Sequence, residues 1–441
     1  MKFNKWTVGL AAVGVVSLAS AARADEKMNA LQTALSNTTI SGYVSASFNW
    51  AIAGGAYNTD KGYYGESGNY PVSPAGYIPF QSGKQDGFNL DVVKLSISKP
   101  QDESPWASGY QIDLLFGPDA VGYNPSVNGK ASGYYSYYYY YGSGTQADYA
   151  IKQAYVALRT PVGNGIDWKI GVFDSIIGYE VFDAGSNPNY TRSWGYAVEP
   201  TELTGILASY KINDEWSISA GIANTLESGI NQRAYDYTAD YDLQQHNWNK
   251  AYIGSLSFTA PSSWGWAAGS SFYAGIEYGF AGGSDWGYTG YYANGDQVNY
   301  YLGGTLNTPW KQLTVGAALD IVHNYGGGGT DYGDIWWNDD TVVGLYATYK
   351  ATDKLSFNGR AEYIHGQYNE DDYGYKGYCY SSEAFEITGT MEYDLWANVV
   401  SRLELRWDRF GSFDTGYAIN DSSSVDNKTS VGLYANIIYK F

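Results

Sequence analysis

The sequence predicts an all-β fold, an antiparallel up-and-down barrel that crosses a membrane with about sixteen strands, long loops at one rim and short turns at the other. Three observations predict it. The stretch KTSVGLYANIIYKF at 428–441 alternates strictly, with Val431, Leu433, Ala435 and Ile437 on one side and Ser430, Gly432, Tyr434 and Asn436 on the other. A period of two is that of an extended strand, and one apolar face with one polar face suits a wall between lipid and a wet lumen. The connections between such stretches are short and long in turn. The 441 residues include 46 Tyr, 15 Trp and 54 Gly. This is strand and turn composition, and its aromatic rings with one polar atom suit a membrane–water boundary. A Tyr-rich secreted β-sandwich would share the composition, but has no reason to make every second connection long.

The chain starts as a secretory signal does. Lys2 and Lys5 precede an apolar run over 6–19, and Ala22-Arg23-Ala24 offers a small-x-small cleavage site after Ala24. Removing Lys2, Lys5 and Arg23 takes the net charge from −19 to −22, which argues against nucleic-acid partners and fits cation attraction at a pore mouth or solubility of long loops. Beyond the signal there is no run of 18 apolar residues and mean hydropathy is −0.35, so no membrane helix is expected. A barrel is the other structure that can pair all its backbone groups in lipid. The single cysteine, Cys379, supports neither a disulfide framework nor a zinc cluster and reads as a loop residue.

In order, 25–38 carries Met28, Leu31 and Leu35 at helical spacing, a short periplasmic helix, one lying in the barrel mouth, or a frayed leader. The first strand, 40–53, sets Ile40, Val44, Phe48 and Trp50 against Ser41, Tyr43, Ser45, Ser47 and Asn49. The second, 88–99, puts Val93, Leu95 and Ile97 outward and Lys94 inward; the third, 108–116, puts Ile112, Leu114 and Phe116 outward and Asp113 inward. Further strands read as 148–160, 166–176, 201–212, 216–226, 249–260, 266–280, 298–307, 312–323, 341–350, 354–365, 384–393, 398–410 and 428–441. Long polar loops are expected at 227–248, 281–297, 324–340, 366–383 and 411–427, and the tract at 134–141, YYSYYYYY, lies in the second long loop as an aromatic contact surface or a plain surface tract.

Chemistry concentrates at 171–200, the third long loop, which mixes Glu180, Asp183, Arg192 and Glu199 with Tyr179, Phe182, Tyr190 and Trp194. It is too aromatic and too mixed in charge for a free external loop, and the expectation is that it folds inward as a constriction. Glu180, Asp183 and Glu199 would present acid to the pore, facing the inward bases Lys94, Arg159, Lys169, Arg360, Arg402 and Arg406. On the fifteenth strand Leu403, Leu405 and Trp407 alternate with Arg402, Glu404, Arg406 and Asp408. A charge turned to lipid would cost ~2–4 kcal/mol near the midplane, so these face the lumen. Such charges set up a transverse field for solutes, or pair with each other and fill the lumen.

The run GYEVFDAGSNPNYTRSWGY at 178–196, with VKLSISKPQDE at 93–103, GYQIDLLFGPDA at 109–120, QAYVALRTPVGNGIDWKIGVFD at 153–174 and ALSNTTISGYV at 34–44, resembles the OmpL-like β-barrel porin family. The resemblance implies an outer-membrane barrel acting as a passive channel, and it carries no binding residues with it. Trimers follow by porin analogy.

Catalysis is poorly served. Of the three histidines, His323 and His365 stand near Asp320 and Glu362 in sequence, and no G-x-S-x-G elbow occurs. Asp331, Asp334, Asp339, Asp340, Glu370, Asp371 and Asp372 lack the spacing of a calcium loop and read as solvated acid. The reading is a porin passing small hydrophilic solutes or ions, with no cofactor. The alternatives are a sugar-specific channel and a structural or adhesive barrel with a closed lumen.

Overall fold

The computed structural model describes residues 37–53, 84, 86–123, 149–226, 230–231, 235–237, 243–245, 249–285, 292–327, 335–370, 378–410 and 429–441. Sixteen antiparallel strands form one closed barrel: β1 Thr39–Ala53, β2 Gly87–Lys99, β3 Ser108–Phe116, β4 Tyr149–Thr160, β5 Ile166–Asp174, β6 Glu202–Lys211, β7 Trp216–Ala223, β8 Ala251–Thr259, β9 Ser271–Asp285, β10 Tyr292–Asn307, β11 Leu313–Gly327, β12 Ile335–Lys350, β13 Leu355–Glu370, β14 Tyr378–Trp396, β15 Val399–Phe410 and β16 Thr429–Lys440. Each pairs with its sequence neighbours, and β16 closes on β1, where Phe441 and Gly42 exchange backbone hydrogen bonds at 3.0 Å. A small hairpin, Tyr235–Tyr237 with Leu243–Gln245, stands apart from the barrel sheet.

Strand alternation divides the wall as the sequence requires. Leu403, Leu405, Ile437, Ile387 and Leu345 are exposed on the outside, while Arg402, Glu404, Asn436, Glu386 and Tyr346 are buried inside. Exposed Trp264, Trp310 and Trp396 ring the short-turn rim, where Trp216 and Phe258 also meet at 4.6 Å; Tyr252, Tyr278, Tyr300 and Phe385 lie toward the opposite rim. These are the two interfacial girdles of a membrane barrel. No helix among the described residues is long and apolar enough to cross a membrane.

Three expectations need correction. The ninth strand starts at Ser271, not at 266, because Ser262–Ala267 winds into a 3₁₀ turn behind Pro261, which has no N–H to give a ladder. The loops expected at 281–297, 324–340 and 366–383 are largely strand: β9 to β14 run 15 to 19 residues, well past the ~10 that span lipid. The sequence of their outer parts lacks the regular apolar–polar alternation, so hydropathy does not mark them. Backbone pairing simply continues above the membrane, and it takes in Cys379, whose backbone pairs opposite Asn369 on β13. The signal segment, the tract at 134–141 and all of 25–38 except Asn37 and Thr38 lie outside the described residues.

Candidate functional site: the loop inside the barrel

β5 and β6 are short, and the chain between them, 175–201, turns into the barrel and crosses it. Apolar residues bring it in. Ile176 and Ile177 join Phe173, Leu203, Leu207, Ala223 and Ile253 in one buried cluster, and Phe182 joins Tyr43, Val92, Leu115 and Ile438 in another on the far wall. A β-bulge opposite Ser45 and Ala46 turns both Asp91 and Val92 inward, providing a polar and an apolar seat there. Tyr179 stacks on Tyr346 with centroids 3.9 Å apart.

Charged wall residues then hold the backbone of the loop. On entry, Ser175 Oγ and the Ile176 N–H donate to Glu277 of β9 at 2.9 and 3.2 Å. At mid-course Arg402 donates to the carbonyls of Ala184 and Asn187 at 2.7 and 3.0 Å, and Lys440 to that of Gly185 at 3.0 Å. Glu404 accepts the N–H groups of Tyr190 and Thr191 at 2.5 and 2.9 Å and the Thr191 hydroxyl at 2.6 Å. Arg360 lies at the centre, 2.7 Å from Glu180, 2.6 Å from Glu386 and 2.7 Å from the Thr191 carbonyl. Arg406 donates to the Arg192 carbonyl at 2.7 Å, and Arg192 donates to the carbonyls of Tyr190 and Phe182. The loop leaves through the one-turn helix Trp194–Val198, N-capped by Ser193, with Glu362 accepting from Trp194 N–H at 2.7 Å. Beyond it, Asn299 donates to the Val198 carbonyl at 3.0 Å, and Glu199 meets Asp320 of β11. Burial, then the Asp320 carboxylate, hold the Glu199 carboxyl well above its usual range.

The side chains of Glu180, Arg360, Glu386 and Arg406 have no exposed surface. Taking such charges out of water is costly, and each stays ionic only because partners surround it. Arg360 and Glu180 therefore pair directly, while Arg402 and Arg406 bond carbonyls of the loop; together they clamp it, and they do not face one another across water. Lys94 is likewise buried, between Asp113 at 3.2 Å and Asp183 at 2.8 Å, while the Asp183 side chain keeps 37% of its surface. Arg159 lies at the short-turn rim with Asp167 at 2.7 Å, far from this network. The sequence places Glu404 in the lumen without a task and marks Glu362 only as a neighbour of His365; it does not single out Asp91, Glu277 or Glu386. Glu362 sits two residues from the inward Arg360 and hence on the same face, a signal that points to it.

The loop does not fill the barrel evenly. Inward side chains are buried along β12 to β16 and β1, for example Ser47, Tyr346, Thr388 and Asn436. Lys84 of the first long loop seals the same side, 2.8 Å from Asp119 and 3.2 Å from Asp91. Toward the short-turn half of β3 to β10 the inward side chains are only half-buried: Gln111, Gln153, Tyr155, Lys169, Ser209, Ser217, Ser219, Ser257, Tyr273 and Thr305. That sector is polar, rich in hydroxyls, and open to water.

The histidines do not meet the acids expected of them. His323 lies 2.5 Å from Asp339 and His365 lies 3.6 Å from Glu383, each the cross-strand partner, because residues three apart on a strand face opposite ways. Among the described residues no three His, Cys, Asp or Glu side chains gather as a metal site.

A closed sixteen-strand barrel with two aromatic girdles and a loop folded into its lumen is an outer-membrane barrel of the porin type. The chain belongs to the family described as "Putative beta-barrel porin-2, OmpL-like", whose model matches residues 37–441. A search of curated protein sequences finds no significant match. Among solved structures it is similar to the outer-membrane protein OmpT of Vibrio cholerae, at 10% identity over 92% of this chain and 97% of that one, TM-score 0.50. It is also similar to the outer-membrane channel DcaP of Acinetobacter baumannii (12%, 92% and 97%, 0.50) and to an anion-selective porin from Comamonas acidovorans (12%, 92% and 99%, 0.50). At such identity the likeness is one of fold.

Proposed function

We propose that the protein lets small hydrophilic solutes and ions diffuse passively through the outer membrane, along the half-buried polar sector between the docked loop and the inner faces of β3 to β10. The observation that carries this reading is the unevenness of the lumen: one wall is sealed by the loop, and the other keeps water-facing Ser, Gln, Tyr and Lys side chains. The loop is the constriction. Asp183 faces the passage, and Glu180, Arg192, Arg360, Arg402 and Arg406 fix the position of the loop backbone, so they set the width of the pore rather than its field. Export follows cleavage after Ala24, and the barrel assembles as a homotrimer in outer-membrane lipid. Swelling of liposomes that contain the purified chain, with neutral sugars of graded size, tests the proposal. Rates that fall smoothly with solute size support it. One strongly favoured sugar means a specific channel, and no swelling with any solute means a closed, structural barrel.

A further inference from the structure

We infer that Lys169 is the selectivity-determining residue of the passage and makes its water-facing sector prefer small anions. The inference rests on the proposed diffusion path. Lys169 points inward from β5, half-buried, with its ammonium 5.0 Å from the centre of the Tyr155 ring on β4. Among the described residues no carboxylate lies within ion-pair distance of it, whereas the other bases of this sector are all matched. Lys94 is taken by Asp113 and Asp183, Lys152 by Asp174, and Arg159 by Asp167. Asp167, on the same strand and face two residues away, is held by both Arg159 and Gln101. Asp113 is occupied in turn by Lys94 and by the amides of Gln111 and Gln153. The register puts Ala157 and Leu207 beside Lys169, so neither neighbouring strand brings an acid to its level. One fixed positive charge, held on a ring and met by Asp174 and Asp113 only from beyond ion-pair distance, attracts anions and repels cations that pass close to it. The acidic balance of the whole chain acts at the mouth; this charge acts inside.

The test is the reversal potential of the full chain in planar bilayers under a KCl gradient near 0.1 M, where the screening length is about 10 Å. With that screening, a unit charge in water at about 5 Å raises local chloride about 2.3-fold and lowers local potassium by the same factor. Lys169→Gln should therefore lower the chloride-to-potassium permeability ratio about fivefold. Lys169→Glu should lower it further and Lys169→Arg should keep it. Lys211→Gln, outside the lumen in a 63% exposed ion pair with Asp214, should leave it unchanged. To separate charge from misfolding, Lys169→Cys is reacted in the open channel with an ammonium-bearing thiosulfonate, with the parent chain treated alongside to account for Cys379. Return of the parent ratio supports the inference. A ratio that Lys169→Gln leaves unmoved, or one that the restored charge does not recover, overturns it. A parent chain that carries no current overturns the diffusion path itself, and the inference with it.

Discussion

Replacing Arg360 should release the loop without opening the barrel wall. Its guanidinium is fully buried and shared among Glu180, Glu386, the Thr191 and Arg192 carbonyls and, at 3.5 Å, Glu362. Arg360→Gln keeps most of the volume and removes the charge, leaving Glu180 and Glu386 buried and short of a partner. Breaking a buried pair in this way costs about 3–5 kcal/mol. The strand itself is insulated, because β13 pairs along its whole length with β12 and β14. The cost therefore falls on loop docking. Single-channel recording should show larger and noisier conductance for Arg360→Gln than for the parent, while heat-modifiable migration still reports a folded barrel. Glu180→Gln in the Arg360→Gln background should recover part of the loss, since it removes one of the stranded charges. The cycle of single and double variants should give a coupling above about 1 kcal/mol. Parent conductance in Arg360→Gln, with additive effects in the double variant, would refute the view that this contact holds the loop.

Further predictions follow from the same clamp. Glu199 faces Asp320, Glu277, Glu180 and Tyr301, and its carboxyl is held above its ordinary 4.5. The folded state thus keeps a proton that the unfolded chain has given up. Its contribution to docking is complete below pH 4.5 and is lost as pH rises through the raised value. Hydrogen exchange at residues 194–199 should therefore speed up with rising pH beyond its intrinsic trend, and Glu199→Gln should flatten that excess. Gly178 has φ +117°, and a Cβ there would run into the Glu199 carboxylate, so Gly178→Ala should weaken docking by about 1–3 kcal/mol and raise channel noise. Leu405 faces lipid with half its surface exposed, and Leu405→Arg should destabilise the barrel by about 2–4 kcal/mol in urea unfolding from vesicles.

Most of the barrel was legible in the sequence because lipid leaves a strand few options. Leu403, Leu405 and Trp407 can face hydrocarbon, Arg402, Glu404 and Arg406 cannot, and the alternation fixes both strand and orientation. The signal fades where lipid ends. The outer parts of β9 to β14 lack the regular apolar–polar alternation and read as loop, while Trp266 and the small residues after it imitate a strand start at the end of a 3₁₀ turn. The inward course of 175–201 was legible from its aromatic and mixed-charge content, but the work of its charges was not. Alternation places Arg360 in the lumen, and the loop's composition places Glu180 there, without saying whether water or a partner meets them. Contacts such as Arg360 with Glu180, or Arg402 with the Ala184 carbonyl, join residues about two hundred positions apart, and neither composition nor spacing encodes them.

The central claim is that the lumen has one sealed wall and one wet wall. Single cysteines placed in a Cys379→Ser background at Gln153, Ser217, Ser47 and Thr388, and exposed to a membrane-impermeant thiol reagent in reconstituted vesicles, test it directly. The first two should label readily and the last two hardly at all; equal labelling at all four, or labelling confined to Ser47 and Thr388, would contradict it.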